Sequence, residues 1–119
     1  MRVLSARLAE VRAGVYRHWC PACDTYHDIC TSQPTSRITY CIYDGEHESP
    51  TFSPAVRVRH GEHLVCHYFL SEGILHFCED SDHSLAGVSV ELSKLPISAF
   101  RASELPTAFS SELSQNTLG

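Results

Sequence analysis

Short runs of β-branched and aromatic residues, broken by Gly, Pro, Asp and Ser, recur along this chain and predict strands far more than helices. The strongest run is Leu64-Val65-Cys66-His67-Tyr68-Phe69-Leu70. Ala55-Val56-Arg57-Val58-Arg59 precedes it with the strict alternation of a half-exposed strand, and His60-Gly61-Glu62-His63 reads as the turn between them. Ser71-Glu72-Gly73 turns the chain again into Ile74-Leu75-His76-Phe77-Cys78. Two successive hairpins with short turns make an antiparallel meander.

Weaker signals fill in the rest. Gly14–Trp19, Ile38–Tyr43 (closed by Asp44-Gly45) and Gly87–Leu92 fit strands, and residues 2–11 fit a strand or a short helix. Ser49–Ala55 carries Pro50 and Pro54, so it is expected to be an extended edge or loop and not a central strand. From Pro96 onward the composition shifts to Ser, Thr and Ala, which suggests either one short helix near residues 98–105 or a loose tail, mobile over 110–119. The expected fold is mainly β, a small antiparallel meander with an N-terminal zinc knuckle and a short C-terminal helix or tail. Residues 1–95 would form the zinc-stabilised domain and 96–119 a partly mobile extension.

The knuckle is the feature that changes the picture. In His18-Trp19-Cys20-Pro21-Ala22-Cys23-Asp24-Thr25-Tyr26-His27 two thiols stand three positions apart around a turn, with an imidazole four positions later. Thiolate and imidazole together suit zinc, and a closed structural site takes four ligands. At 119 residues the core is thin, so a structural metal matters most at this size. A distant donor must complete the set. Adjacent strand residues face opposite ways, so Cys66 and His67 cannot both reach one ion; Cys66 is the expected ligand and His67 is left to face away. The fourth ligand is His27 or His83. Cys30, Cys41 and Cys78 read as small apolar core residues.

Charge and length narrow the partners. The formal net charge is −5 with nine Lys and Arg in no patch, which argues against a nucleic-acid partner. No apolar run approaches the roughly 20 residues that span a bilayer, and Met1–Arg7 has no signal-peptide core, so a reduced, cytoplasmic protein is expected.

Five pieces in fixed order, Trp19-Cys20-Pro21-Ala22-Cys23…His27, Tyr43-Asp44-Gly45, Pro50-Thr51-Phe52-Ser53-Pro54, Cys66-His67 and Phe77…Asp80…His83-Ser84-Leu85-Ala86-Gly87, resemble a family of small phage and prophage zinc-binding proteins often labelled ammonia monooxygenase. That family is distantly similar to the Ser–His peptidase domains that accompany bacterial ubiquitin-like conjugation operons. The resemblance implies a bacterial host cell as the setting and His67 as the dyad's base, with the nucleophile within Thr51–Ala55. Ser53 is one candidate. The family's last Ser of that stretch falls on Ala55, so the nucleophile is lost here if that position carried it. Asp80 or Asp82 would orient the imidazole.

Three functions follow. The first is a zinc-stabilised Ser–His peptidase acting on a protein or ubiquitin-like terminus. The second is a non-catalytic zinc-stabilised module that binds a protein partner, as a phage anti-host or anti-defence factor would. The third, a catalytic zinc hydrolase with an open coordination position, is disfavoured by the Cys-rich donor set and by the lack of a deaminase-type His-x-Glu spacing.

Overall fold

The structure, a computed structural model, describes residues 1–31, 41–61 and 64–100. These form nine strands and one short 3-10 turn. The strands are β1 (Arg2–Ser5), β2 (Leu8–Arg12), β3 (Val15–Cys20), β4 (Thr25–Cys30), β5 (Ile42–Tyr43), β6 (Phe52–His60), β7 (Leu64–Ser71), β8 (Ile74–Phe77) and β9 (Ser89–Glu91), followed by the turn Ile97–Ala99. They make two antiparallel sheets, β1-β2-β3-β4 and β5-β6-β7-β8-β9, each with its strands in chain order. The mainly β meander is therefore what the chain adopts, in two copies. Residues 2–11 resolve into strands β1 and β2 and part of their pairing.

Turn chemistry sets the register on which the site depends. Glu72 and Gly73 both have positive φ, 51° and 76°, and Ser71 pairs with Ile74. A two-residue turn of that hand matches the twist of the flanking strands. Its consequence runs down the hairpin: Leu70 pairs with Leu75, Phe69 with His76 and Tyr68 with Phe77. The next position brings Cys78 against His67, whose carbonyl accepts the Cys78 N–H at 2.8 Å.

One core joins both sheets. Leu8, Cys20 and Ile29 from the first pack with Phe52, Val56, Cys66, Tyr68, Leu70, Leu75 and Phe77 from the second. Leu8, Leu70 and Leu75 are fully buried, each worth roughly 1.5–3 kcal/mol by removal from water.

The far face of the first sheet is covered by residues 93–100. Ser93 bridges Trp19, the Leu95 N–H bonds the Ala6 carbonyl, and Leu95 and Ala99 pack on Ala9 with Trp19, Tyr26 and Phe100. Arg17 fixes the end of this strap. Its Nη1 donates to the Ala99 carbonyl at 2.7 Å, its Nε and Nη2 grip Asp28, and its guanidinium lies 3.8 Å over the Tyr26 ring. The described start of the C-terminal extension is thus a docked 3-10 turn; residues 101–119, where the rest of the expected helix or tail would lie, are outside the described residues.

The Pro-flanked stretch departs from expectation. Phe52–Ala55 belongs to β6, which is hydrogen-bonded between β5 and β7 and is therefore not an edge. The physical reason is an irregularity: between the pairs Phe52–Leu70 and Val56–Tyr68, β6 holds Ser53, Pro54 and Ala55 against Phe69 alone. A bulge leaves residues out of the ladder, so the N–H that Pro54 lacks is not needed there.

Candidate functional site

The β3–β4 hairpin closes with Cys20 opposite Thr25, and Cys23 sits in the four-residue tip between them. Asp24, at φ 54°, takes the left-handed conformation that turns the tip, which Asp tolerates better than most residues. His18 pairs with His27 two steps further along, so Cys20 and His27 project from neighbouring strands toward the same buried face. Across the core, β7 delivers Cys66. The ligand atoms of Cys20, Cys23, His27 and Cys66 all lie within 4.8 Å of one another.

These residues fit a metal ion. The Cys20 and Cys66 sulfurs are 3.9 Å apart, far beyond a disulfide at about 2.05 Å. It is close to the separation of about 3.8 Å between two thiolates bound at about 2.3 Å in a tetrahedral site. Among the described residues, both ring nitrogens of His27 are buried without a hydrogen-bond partner. Buried polar atoms are normally satisfied, and a shared cation supplies a partner for one of them.

His83 plays a different part. Its Nε2 is 3.4 Å from the Cys66 sulfur, but it stands outside the set of four. The Leu85 N–H donates to His83 Nδ1 at 3.2 Å. The neutral ring therefore carries its proton on Nε2 and donates it to the sulfur, as a neighbour of a ligand does. Of His27 and His83, only His27 has a ring nitrogen grouped within 4.8 Å of all three sulfurs.

The charge balance points the same way. The Cys20 thiol is drawn down to about 3, chiefly by the Cys66 thiol that hydrogen-bonds it. Cys66 is pushed far up by that same partner, and burial with the Cys20 charge lifts Cys23 to about 11. Without a cation, charge on one sulfur disfavours charge on the other two, because like charges repel in a dry site.

A shell of rings surrounds the cluster. Tyr68 O–H donates to His18 Nε2 at 2.6 Å while His18 Nδ1 donates to the Trp19 carbonyl, so the neutral imidazole is satisfied at both ends. Burial holds His18 down near 4 and Tyr68 well above 10. His27 stacks on Tyr68 and lies tilted against His60. A cavity of about 290 Å³ beside the cluster is lined by Ala22, Cys23, His60, Leu64, Val65 and His83.

On the other face of β7 lies His67. The strand alternation that turns Cys66 inward turns His67 outward, opposite Arg57. Its Nδ1 bonds the Asp80 carboxylate at 3.0 and 3.2 Å, and that contact holds Asp80 below its usual range. Of the two acids considered, Asp80 is thus the one on the His67 ring; Asp82 instead accepts the Val65 N–H at 3.0 Å. Ser81 buttresses the pair, accepting the His67 N–H and donating to the His67 carbonyl.

The nucleophile candidates are placed less closely. Ser53 is exposed in the bulge, paired with Ile42, and among the described residues no hydrogen bond joins it to His67. Thr51 Oγ1 accepts the Glu72 N–H instead. Ala55 precedes inward-facing Val56 and follows the parity of Arg57, the direct partner of His67. A side chain at position 55 is thus a diagonal neighbour of His67, within reach of long or paired groups.

Cys78 is the residue that sequence reading missed. Its sulfur, a His67 ring nitrogen and an Asp80 oxygen lie within 4.8 Å of one another. The signal was available: counting back from the Glu72-Gly73 turn puts Cys78 opposite His67.

Among the described residues no helix is long and apolar enough to cross a membrane. No curated protein and no solved structure matches the chain. The family described as bacterial ubiquitination-like system serine protease (BubE) matches residues 3–78, a span that holds Cys20, Cys23, His27, Cys66 and His67 together. With that match over most of its length, the chain belongs to the BubE serine protease family.

Proposed function

We propose that this protein is a zinc-stabilised peptidase-type domain of the bacterial cytoplasm that receives a protein or ubiquitin-like terminus on the outer face of its second sheet. Zinc on Cys20, Cys23, His27 and Cys66 would hold β7 against the β3–β4 hairpin and take no part in the chemistry, since four protein donors close its coordination. His67 is the base, with Asp80 on Nδ1 leaving Nε2 to take a proton from a hydroxyl. The observation that carries the reading is this oriented imidazole on the solvent side of a strand whose other side is a ligand.

The hydroxyl decides between turnover and binding. Ser53 is the one Ser that the chain offers on β6 within the bulge, and Ala55 occupies the position diagonal to His67. A fluorophosphonate probe separates the cases. Labelling of the wild type at Ser53, abolished in His67→Ala, establishes an active dyad. Labelling that appears only in Ala55→Ser identifies a domain that has kept the base and lost the nucleophile. A protein unlabelled in both forms, with zinc bound and fold intact, overturns the peptidase reading.

That last outcome would favour the second function, a non-catalytic binding module. Ala55 itself supports it, as do the exposed apolar Ile42 and Phe69, which belong to the same sheet as His67.

A further inference from the structure

We propose that His67, Cys78 and Asp80 form a second, solvent-facing site for a borderline-soft divalent cation such as zinc, distinct from the buried four-residue cluster. Three different donors converge from two directions: the His67 ring from β7, the Cys78 thiol from the end of β8, and the Asp80 carboxylate from the turn that follows. Their donor atoms lie within 4.8 Å of one another. The His67 Nδ1 to Asp80 Oδ1 distance of 3.0 Å is a bite that ligands at about 2.0–2.2 Å can span.

The backbone supports the constellation. The Cys78 N–H is tied to the His67 carbonyl at 2.8 Å, and Ser81 bonds both the N–H and the carbonyl of His67. Residues 78–81 are thereby folded against the one strand position that carries the imidazole. The pieces face solvent: the His67 and Asp80 side chains are 26% and 54% exposed. Three protein donors with the fourth side open leave room for water, unlike the buried cluster.

The alternative for such a trio is a thiol nucleophile with an imidazole base. The charge of Asp80 argues against it, since a carboxylate beside Cys78 discourages a bare thiolate, and burial pushes the same way. A cation reverses that balance, because it draws both anions together. The mixed N, S and O set selects zinc, cobalt or cadmium over magnesium or calcium, which require oxygen donors.

Arg57 competes for the carboxylate. Its Nη1 is 3.9 Å from Asp80 Oδ2, on a side chain 58% exposed. Removing it should tighten the site. If His67 is the base described above, a cation on Nδ1 leaves the ring's proton on Nε2, the nitrogen that would accept one, and silences it. Only this inhibitory consequence rests on the peptidase reading; the site does not.

The test uses the full chain with its buried cluster already filled by zinc. Cobalt is titrated in, and the thiolate-to-cobalt absorption and bound stoichiometry are read. The expected result is one further equivalent with a sulfur-to-metal band. That equivalent should be lost in Cys78→Ala and in Asp80→Asn, tightened in Arg57→Ala, and not matched by magnesium. Asp80 is exposed, so its variant keeps the test sound if Cys78→Ala folds poorly. No added equivalent, or one that persists in both variants, overturns the proposal. Because binding is read spectroscopically, a failed fluorophosphonate label leaves this result untouched, and the reverse holds too.

Discussion

Single residues around the buried cluster carry more than packing. Tyr68 donates to a His18 nitrogen that has no route to water, and His18 is itself fully buried. Tyr68→Phe keeps the ring but strands that nitrogen, so it should cost about 1–3 kcal/mol in denaturant unfolding. Zinc content should stay unchanged, because Tyr68 is not among the donors. Cys66→Ser should behave differently, since a hydroxyl is a poor substitute for thiolate on zinc: metal content and stability fall together. The contrast between these two variants, both on the inner face of β7, separates packing from ligation.

Among the elements, the strap over the first sheet rests on Arg17. Its contacts with Asp28 and the Ala99 carbonyl are charge-assisted and largely buried. Arg17→Met keeps much of the stem and removes the bonds. It should cost about 1.5–3 kcal/mol, and limited proteolysis should then cut near residues 95–100 at a rate the wild type does not show. Strand existence was legible from the chain because alternation and Gly-bearing turns are local. Thus Leu64–Leu70 and Ile74–Phe77 could be read directly, and the parity rule placed Cys66 and His67 on opposite faces. Other features were not local. The Pro50–Pro54 stretch looked like an edge because a bulge that excuses Pro54 depends on the register with β7, which lies a hairpin away. That His27, and not His83, groups with the three sulfurs depends on how the β3–β4 hairpin sits against β7, which spacing does not encode. The strap-holding part of Arg17 was not legible either, since its partners come from residue 28 and residue 99.

For the whole molecule, the cluster joins the two sheets where the core is thin. Structural zinc in small modules contributes apparent binding free energy on the order of 10–16 kcal/mol at neutral pH. A strong chelator should therefore unfold the domain, seen as loss of β-sheet circular dichroism and restored by zinc. Elemental analysis should give at least one zinc per chain in protein purified without chelator; a folded, zinc-free protein would remove the claim. The sign of the pH dependence follows from the thiols. Cys23 and Cys66 hold their protons at neutral pH because burial and the Cys20 charge raise them, so binding must expel protons. Metal affinity should fall as pH is lowered and rise toward the alkaline side, measured by competition with a chromophoric chelator.

The back-to-back placement of Cys66 and His67 has a consequence for how such a chain can vary. Length is constrained there more tightly than composition. An insertion or deletion of one residue within residues 64–67 would exchange inside for outside, sending an imidazole to the ion and a thiol to the surface. Loops and the covering strap can change length without that exchange, whereas this short strand cannot gain or lose a residue.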